Sequence, residues 1–218
     1  MLARAGELAD GQWVRALRQT AGRGRRGRPW ASHPGNLAAS VLVQLRAADP
    51  PAAQLALVAG VALFEAVASH AQPARLLLKW PNDLLMDGAK LAGILAERQG
   101  GAVVIGFGVN LAHAPELPDR PTIALATPVD PAAFLETLAG TFARWLELWR
   151  QEGLAPVRAA WEARAHPPGT LLSVAGPPAR LGRFRRLCED GALELETDEG
   201  LVSVHGGEVA LLGMAEKR

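Results

Sequence analysis

"QTAGRGRRGRPW", residues 19 to 30, threads Gly22, Gly24 and Gly27 between Arg23, Arg25, Arg26 and Arg28. The run from Gly22 to Gly27 satisfies G-x-G-x-x-G, the string of a dinucleotide-binding turn, so choosing between that turn and a plain basic loop decides the fold. A dinucleotide turn must open directly into a helix whose N-terminus holds the pyrophosphate. Here the glycines lead instead to Pro29-Trp30 and then to "NLAASVLVQLR" (36 to 46), which reads as a strand. "QWVRALR" (12 to 18), ahead of the segment, also alternates, so the arginines fall in a loop between two strands. No G-x-x-x-x-G-K-[ST] phosphate loop occurs in the chain, and both common nucleotide folds are excluded.

Four arginines this close repel one another, and the intervening glycines add backbone freedom. The segment is therefore predicted to be mobile until an anion orders it. The residues leave two readings open: a solvated basic turn, or an arginine clamp for phosphate with Trp30 offering a face for a base.

The chain has 218 residues, 49% of them hydrophobic, enough for a well-buried core, and a formal net charge of only +1. A protein that wraps nucleic acid over a broad basic face is disfavoured by that balance, so the charge at 23 to 28 is local. A single cysteine, Cys188, excludes an internal disulfide framework and is expected to be a small core residue. The five histidines are too dispersed for a familiar metal motif. The N-terminus lacks a signal-peptide core and no apolar run reaches membrane-spanning length, so a soluble cytoplasmic protein with no membrane partner is expected. Of 23 basic residues only three are lysine: Lys79, Lys90 and Lys217.

Asp49, as an N-cap before Pro50 and Pro51, predicts a buried helix over the apolar run that follows. "RLLLKW" (75 to 80) reads as a buried strand. Residues 83 to 111 read as a three-strand meander with turns at Asp87-Gly88 and Gln99-Gly100-Gly101. The sheet is thus mixed or antiparallel. Residues 131 to 150 form a second helix with Phe134, Leu138, Phe142, Trp145 and Trp149 along its core face, and residues 154 to 165 a shorter third. Beyond "HPPGT" (166 to 170) the chain is short strands and tight turns, with breaks at Gly176-Pro177-Pro178, Asp190-Gly191, Glu199-Gly200 and Gly206-Gly207. The fold class is α+β: a mixed β-sheet flanked by helices over residues 1 to 167, with a small SH3-like β-barrel over 168 to 218.

Two further constellations carry chemistry. In "KWPNDLLMDGAKLAGILAE" (79 to 97), Lys79 ends a buried strand, and Asn82 and Asp83 either hold Mg²⁺ or cap a turn. Lys90 lies beside Gly93, where a missing side chain lets a ligand approach, and a lysine there can reach a carboxylate and a phosphate together. In "GFGVNL" (106 to 111), Gly106 and Gly108 thin the strand, and Asn110 meets either an adenine or phosphate edge or a strand-end backbone group.

"QTAGRGRRGRPW", "KWPNDL", "KLAGILAE" and "GVNL", in this order, resemble the catalytic domain of the bacterial biotin protein ligases, strongly over residues 12 to 111. The tail "GRFRRLCEDGALELETDEGLVSVHGGEV" is similar to that family's C-terminal barrel. The resemblance implies that MgATP and biotin are substrates, with no tightly bound cofactor. Biotin's carboxylate would attack the α-phosphate, and a lysine of the biotin carboxyl carrier protein of acetyl-CoA carboxylase would then take the biotinyl group. It implies Lys90 and Arg25 as catalytic residues. Gln19, Gly22, Arg23, Gly24, Arg25, Lys90 and Gly93 would surround biotin. Arg28, Trp30, Lys79, Asn82 and Asn110 would serve ATP and the adenylate, and Asp83 Mg²⁺.

The family's Ser/Thr-Thr-Asn stretch and the DNA-binding domain of its repressor members are not found ahead of the matched region, so no DNA partner is expected. Monomer and homodimer both stay open. The rival readings are a lipoate ligase-type acyl ligase, which shares the catalytic fold, and a small nucleic-acid-binding protein using the arginine loop.

Overall fold

The computed structural model of the chain describes Met1 and residues 7–176 and 178–212; Lys217 and Pro177 lie outside the described residues. Strands β1 (Trp13–Arg15), β2 (Leu37–Gln44), β3 (Leu76–Lys79), β4 (Asp83–Met86), β5 (Ala89–Gln99) and β6 (Ala102–Val109) form one sheet in the order β1-β2-β6-β5-β4-β3. Of the two arrangements left open by the sequence, the antiparallel one holds for every strand pair. Among the described residues, parallel pairing is confined to single bridges, Leu78 with Ala165 and Lys90 with Thr122. The first strand is shorter than the expected 12–18, because the chain leaves the sheet after Ala16 donates to the Ala38 carbonyl.

Helices α1 (Leu55–Ala68), α2 (Pro131–Glu152) and α3 (Leu154–Glu162) pack together, and α1 and α2 lie against one face of the sheet. The first is apolar except for Glu65, which pairs with Arg144 and Arg164, and eleven of its residues are buried, as befits a helix enclosed by protein. Its start corrects the sequence reading. Asp49 does not cap it: this carboxylate accepts from the Arg46 amide and pairs at 3.3 Å with Arg150 Nε of α2, while the helix begins at Leu55 after a single 3₁₀ turn, Ala52–Gln54. The second helix has the cap the first lacks, Asp130 accepting from Ala133 N, with Pro131 at the first position. Phe134, Leu138, Phe142, Trp145 and Trp149 are all buried on its core face, as their spacing predicted.

A second antiparallel sheet follows: β7 (Leu171–Ala175), β8 (Arg180–Leu187), β9 (Leu193–Thr197), β10 (Gly200–Val204) and β11 (Glu208–Leu211), ordered β10-β9-β8-β7-β11. Its inward residues, Leu172, Phe184, Leu193 and Leu195 among them, join the same apolar cluster as the helices and the first sheet. The two sheets therefore share a core. Cys188 is only half-buried, its Sγ 3.4 Å from Ser203 Oγ at the end of β8, and not the core residue expected.

Candidate active site

The face of the first sheet turned away from the helices carries a cavity of about 420 Å³, within the usual range for a small-molecule site. Its floor follows from strand register. Lys79 pairs with Asp83, Asp83 with Gly93, Gly93 with Gly108, and Gly108 with Ala38, so five strands contribute one row of side chains. Two adjacent glycines in the middle of that row leave a shallow trough in an otherwise filled surface. Trp30 lies in it. A Cβ built on Gly108 would fall 2.3 Å from Trp30 Cε2, and one on Gly93 would fall 3.2 Å from Cζ3.

Lys90 reaches the same face through a backbone irregularity. In an unbroken strand, residues three apart point to opposite sides, yet Lys90 Nζ lies 3.3 Å from where a Gly93 Cβ would stand. The β4–β5 register shifts between Leu84 and Leu85, so that Leu84 faces Ala92 but Leu85 faces Lys90. The extra residue, Leu91, goes into the core, and the bulge re-aims the lysine onto the glycine floor.

Asp83 then organises the cations. Its Oδ1 accepts from Lys90 Nζ at 2.6 Å and its Oδ2 pairs with Lys79 Nζ at 3.5 Å; all three side chains are at least four-fifths buried. Burial lowers the Lys79 pKa from its ordinary value, the neighbouring Lys90 and Arg120 lower it further, and Asp83 opposes them. Lys90 Nζ also lies 5.6 Å from the Trp30 ring centroid, within cation–π range.

The arginine segment folds into a small hairpin over the cavity. Gly24 N donates to the Arg28 carbonyl and Trp30 N to the Gly22 carbonyl, and the tip is a 3₁₀ turn, Arg25–Gly27, with Arg26 and Gly27 at positive φ. The repulsion foreseen from sequence meets acceptors on three other segments. Arg25 donates to Asn82 Oδ1 and the Gly207 carbonyl, Arg28 to Glu208 at 2.6 Å, and Arg23 pairs with Glu97; Arg26 faces solvent. Burial first, then Arg26, holds the Arg25 guanidinium below its ordinary pKa, with Asp83 acting against them.

Of the residues singled out from sequence, Gln19, Arg23, Gly24, Arg25, Arg28, Trp30, Lys79, Asn82, Asp83, Lys90 and Gly93 line this one cavity. Gly22 stands just behind it, where a side chain would strike the Trp30 carbonyl and Gln19 Oε1. Asn110 is the exception. It is 1% exposed, and its amide donates to the carbonyls of Ile123 and Lys90, so it satisfies the backbone beneath Lys90 and does not line the cavity. Arg120 and Glu208 line it without having been foreseen. A signal for the first existed: Arg120 is the only basic residue between Arg98 and Arg144. Among the described residues no cluster of three His, Cys, Asp or Glu side chains has metal-binding geometry, and both Asp83 oxygens already serve lysines.

A model of the biotin/lipoate A/B protein ligase family matches residues 3–110, the span that contributes most of this cavity. A curated biotin–[acetyl-CoA-carboxylase] ligase of Paracoccus denitrificans is 40% identical, over 93% of this chain and 91% of its own. The chain belongs to the biotin/lipoate protein ligase family. A second relative, the biotin–[acetyl-CoA-carboxylase] ligase of Mycobacterium tuberculosis, is 36% identical over 97% of this chain and 84% of its own. Among solved structures, a biotin protein ligase from Aquifex aeolicus in complex with biotin and ATP superposes with a TM-score of 0.83 at 26% identity, covering 96% of this chain and 93% of that one. Likeness to these ligases thus runs through the second sheet as well as the first. No described helix is long and apolar enough to cross a membrane.

Proposed function

We propose that this protein is an ATP-dependent biotin–[acetyl-CoA-carboxylase] ligase, with residues 1–167 as the catalytic domain and 168–218 as the barrel. The observation that carries the reading is the convergence of Lys79 and Lys90 on Asp83 at the rim of a two-glycine trough, beneath a loop of four arginines. Joining a carboxylate to a phosphate brings two anions together, which requires cations held in advance.

In the first step an oxygen of biotin's carboxylate attacks the α-phosphorus of MgATP. The bond to the bridging oxygen breaks, and pyrophosphate departs with that electron pair. Lys90 stands between carboxylate and α-phosphate, and Arg25 steadies the adenylate. Arg28, Lys79 and Asn82 address the phosphates, Trp30 packs on the adenine, and Gln19, Arg23 and Gly24 border biotin. Asp83 is read as the counter-ion that aims Lys90, with Mg²⁺ arriving on the nucleotide. In the second step the ε-amine of a lysine on the biotin carboxyl carrier protein, having lost its proton to solvent, attacks the acyl carbon. The carbon–oxygen bond to phosphate breaks, and AMP leaves.

Pyrophosphate release with biotin or lipoate as the acid, followed by streptavidin detection of a cytoplasmic carrier-protein fragment, tests the reading. Turnover with biotin and labelling of one acceptor lysine are expected. Turnover with lipoate alone would overturn it in favour of the lipoate branch.

A further inference from the structure

We propose that Arg120 is a polyphosphate-binding residue, paired with Arg28 to hold the two phosphates that leave. The inference rests on the ligase reading and adds a residue from a segment that no motif marks. Residues 112–122 contain neither helix nor strand, yet their end is fixed. Lys90 N donates to the Pro121 carbonyl at 3.0 Å and Ile123 N to the Lys90 carbonyl at 3.1 Å, so Arg120 is anchored one residue from a chain that pairs with Lys90 itself.

Its side chain, about one-fifth exposed, enters the cavity. There, two guanidiniums from unrelated parts of the chain meet at one atom: Glu208 Oε1 accepts from Arg28 at 2.6 Å and from Arg120 at 2.9 Å. Two forked cations directed at one oxygen describe an anion site, met here by a carboxylate of the second sheet. Asp119, its neighbour in sequence, also pairs with Arg120.

Position distinguishes the site's role from that of Lys90. The cations stand in two groups, Lys79 and Lys90 around Asp83, and Arg28 and Arg120 around Glu208, with Arg25 between them, hydrogen-bonded to Asn82 on one side and to Gly207 on the other. A nucleotide whose α-phosphate meets Lys90 must direct its other phosphates past Arg25 toward the second group. A pyrophosphate carries several charges where Glu208 carries one, so it displaces the carboxylate from the two forks.

The test uses the intact protein and inorganic pyrophosphate as the probe, with no biotin present. Calorimetric titration of Arg120→Ala is expected to show pyrophosphate binding weakened about tenfold or more, the scale of one charge-assisted hydrogen-bonded contact. AMP and biotin affinities should stay within about twofold, and Arg120→Lys should recover part of the loss. In turnover the KM for ATP should rise in parallel, with kcat changed less. Pyrophosphate affinity within twofold of wild type in Arg120→Ala overturns the proposal, as does an equal loss of biotin and AMP affinity. If wild type forms no adenylate from biotin and ATP, the ligase reading fails, and the pyrophosphate titration still decides the anion site.

Discussion

Adding one methyl group at Gly108 tests whether the trough exists to hold the Trp30 indole. The new Cβ would lie 2.3 Å from Cε2 and 2.5 Å from Cζ2 and Nε1 of that ring, well inside van der Waals contact. The backbone cannot yield easily, because residue 108 is paired on both sides, with Gly93 and Ala38. Nor is the substitution strained in itself, since Gly108 is not among the glycines at positive φ. The whole effect therefore falls on Trp30, at the roughly 1–3 kcal/mol typical of overpacking. Gly106→Ala is the control: on the same face of the same strand, its Cβ would meet nothing closer than Ser40 Oγ at 3.5 Å. Urea unfolding of wild type, Gly108→Ala, Trp30→Ala and the double variant measures the coupling directly. Gly108→Ala is expected to destabilise the wild type by about 1–3 kcal/mol and the Trp30→Ala protein by less than about 0.5 kcal/mol, with Gly106→Ala near neutral in both. If the two substitutions add within about 0.5 kcal/mol, the glycine is not there for the tryptophan and the floor as described is wrong.

Three other expectations follow from the same geometry. Lys90→Arg, although it keeps the charge, places a broad fork where a compact ammonium sits 2.6 Å from Asp83 under an indole. Adenylate formation should fall by about 10²-fold, near 3 kcal/mol, with little change in melting temperature, and a loss below about threefold would reduce Lys90 to a general positive charge. Trp30→Ala should weaken ATP binding by about 1–3 kcal/mol in a titration and spare biotin; loss of biotin affinity instead would make the indole a structural part of that pocket. His166 is 1% exposed, packs edge-on to Phe184, and has a pKa lowered by burial from 6.5 to about 4. The unfolded chain therefore binds the proton first as pH falls, so this residue's contribution is whole above about pH 6.5 and costs roughly 2–3 kcal/mol of stability by pH 4.5. Unfolding of wild type and His166→Leu at pH 7 and pH 4.5 should show a smaller pH difference in the variant; equal differences would mean that His166 does not carry it.

What the sequence disclosed depended on the range over which each signal acts. The meander from β4 to β6 and the buried helix α1 were legible because their signals are local: apolar runs of the right length, punctuated by Asp87-Gly88 and Gly100-Gly101. Asp49 was misread because an aspartate before two prolines is a good local cap, while its actual partner, Arg150, lies a hundred residues along the chain. Asn110 was ambiguous for a related reason: an amide at a strand end looks the same whether it faces a ligand or the carbonyls of Lys90 and Ile123. The bulge at Leu91 left no mark in the alternation, and without it Lys90 and Gly93 would be assigned to opposite faces. Arg120 and Glu208 stand 88 positions apart, so neither had a meaning until the second sheet was docked on the first.

That docking explains why a cavity so rich in cations also holds so many carboxylates. Among the described residues, seven cationic side chains line the cavity in a chain whose net charge is +1, and four carboxylates stand among them. Without those carboxylates the cations would repel, turn outward to water, or lose protons; burial already lowers the pKa of Lys79, and Lys90 and Arg120 lower it further. Asp83 opposes that loss and fixes both lysines. Glu208 fixes Arg28 and Arg120; burial raises its pKa, but the hydrogen bonds and charges of those two arginines together hold it below the ordinary carboxylate value. The second sheet is positioned for this by polar contacts as well as by the shared core: Trp80 Nε1 donates to the Gly191 carbonyl at 3.2 Å and Arg25 to that of Gly207 at 3.1 Å. In the proposed reaction an incoming nucleotide would meet cations already aimed, and exchanging one carboxylate for a phosphate would require little movement of them. The second sheet therefore forms a wall of the cavity, and deleting it would remove the contacts that orient the arginine loop along with the sheet's share of the core.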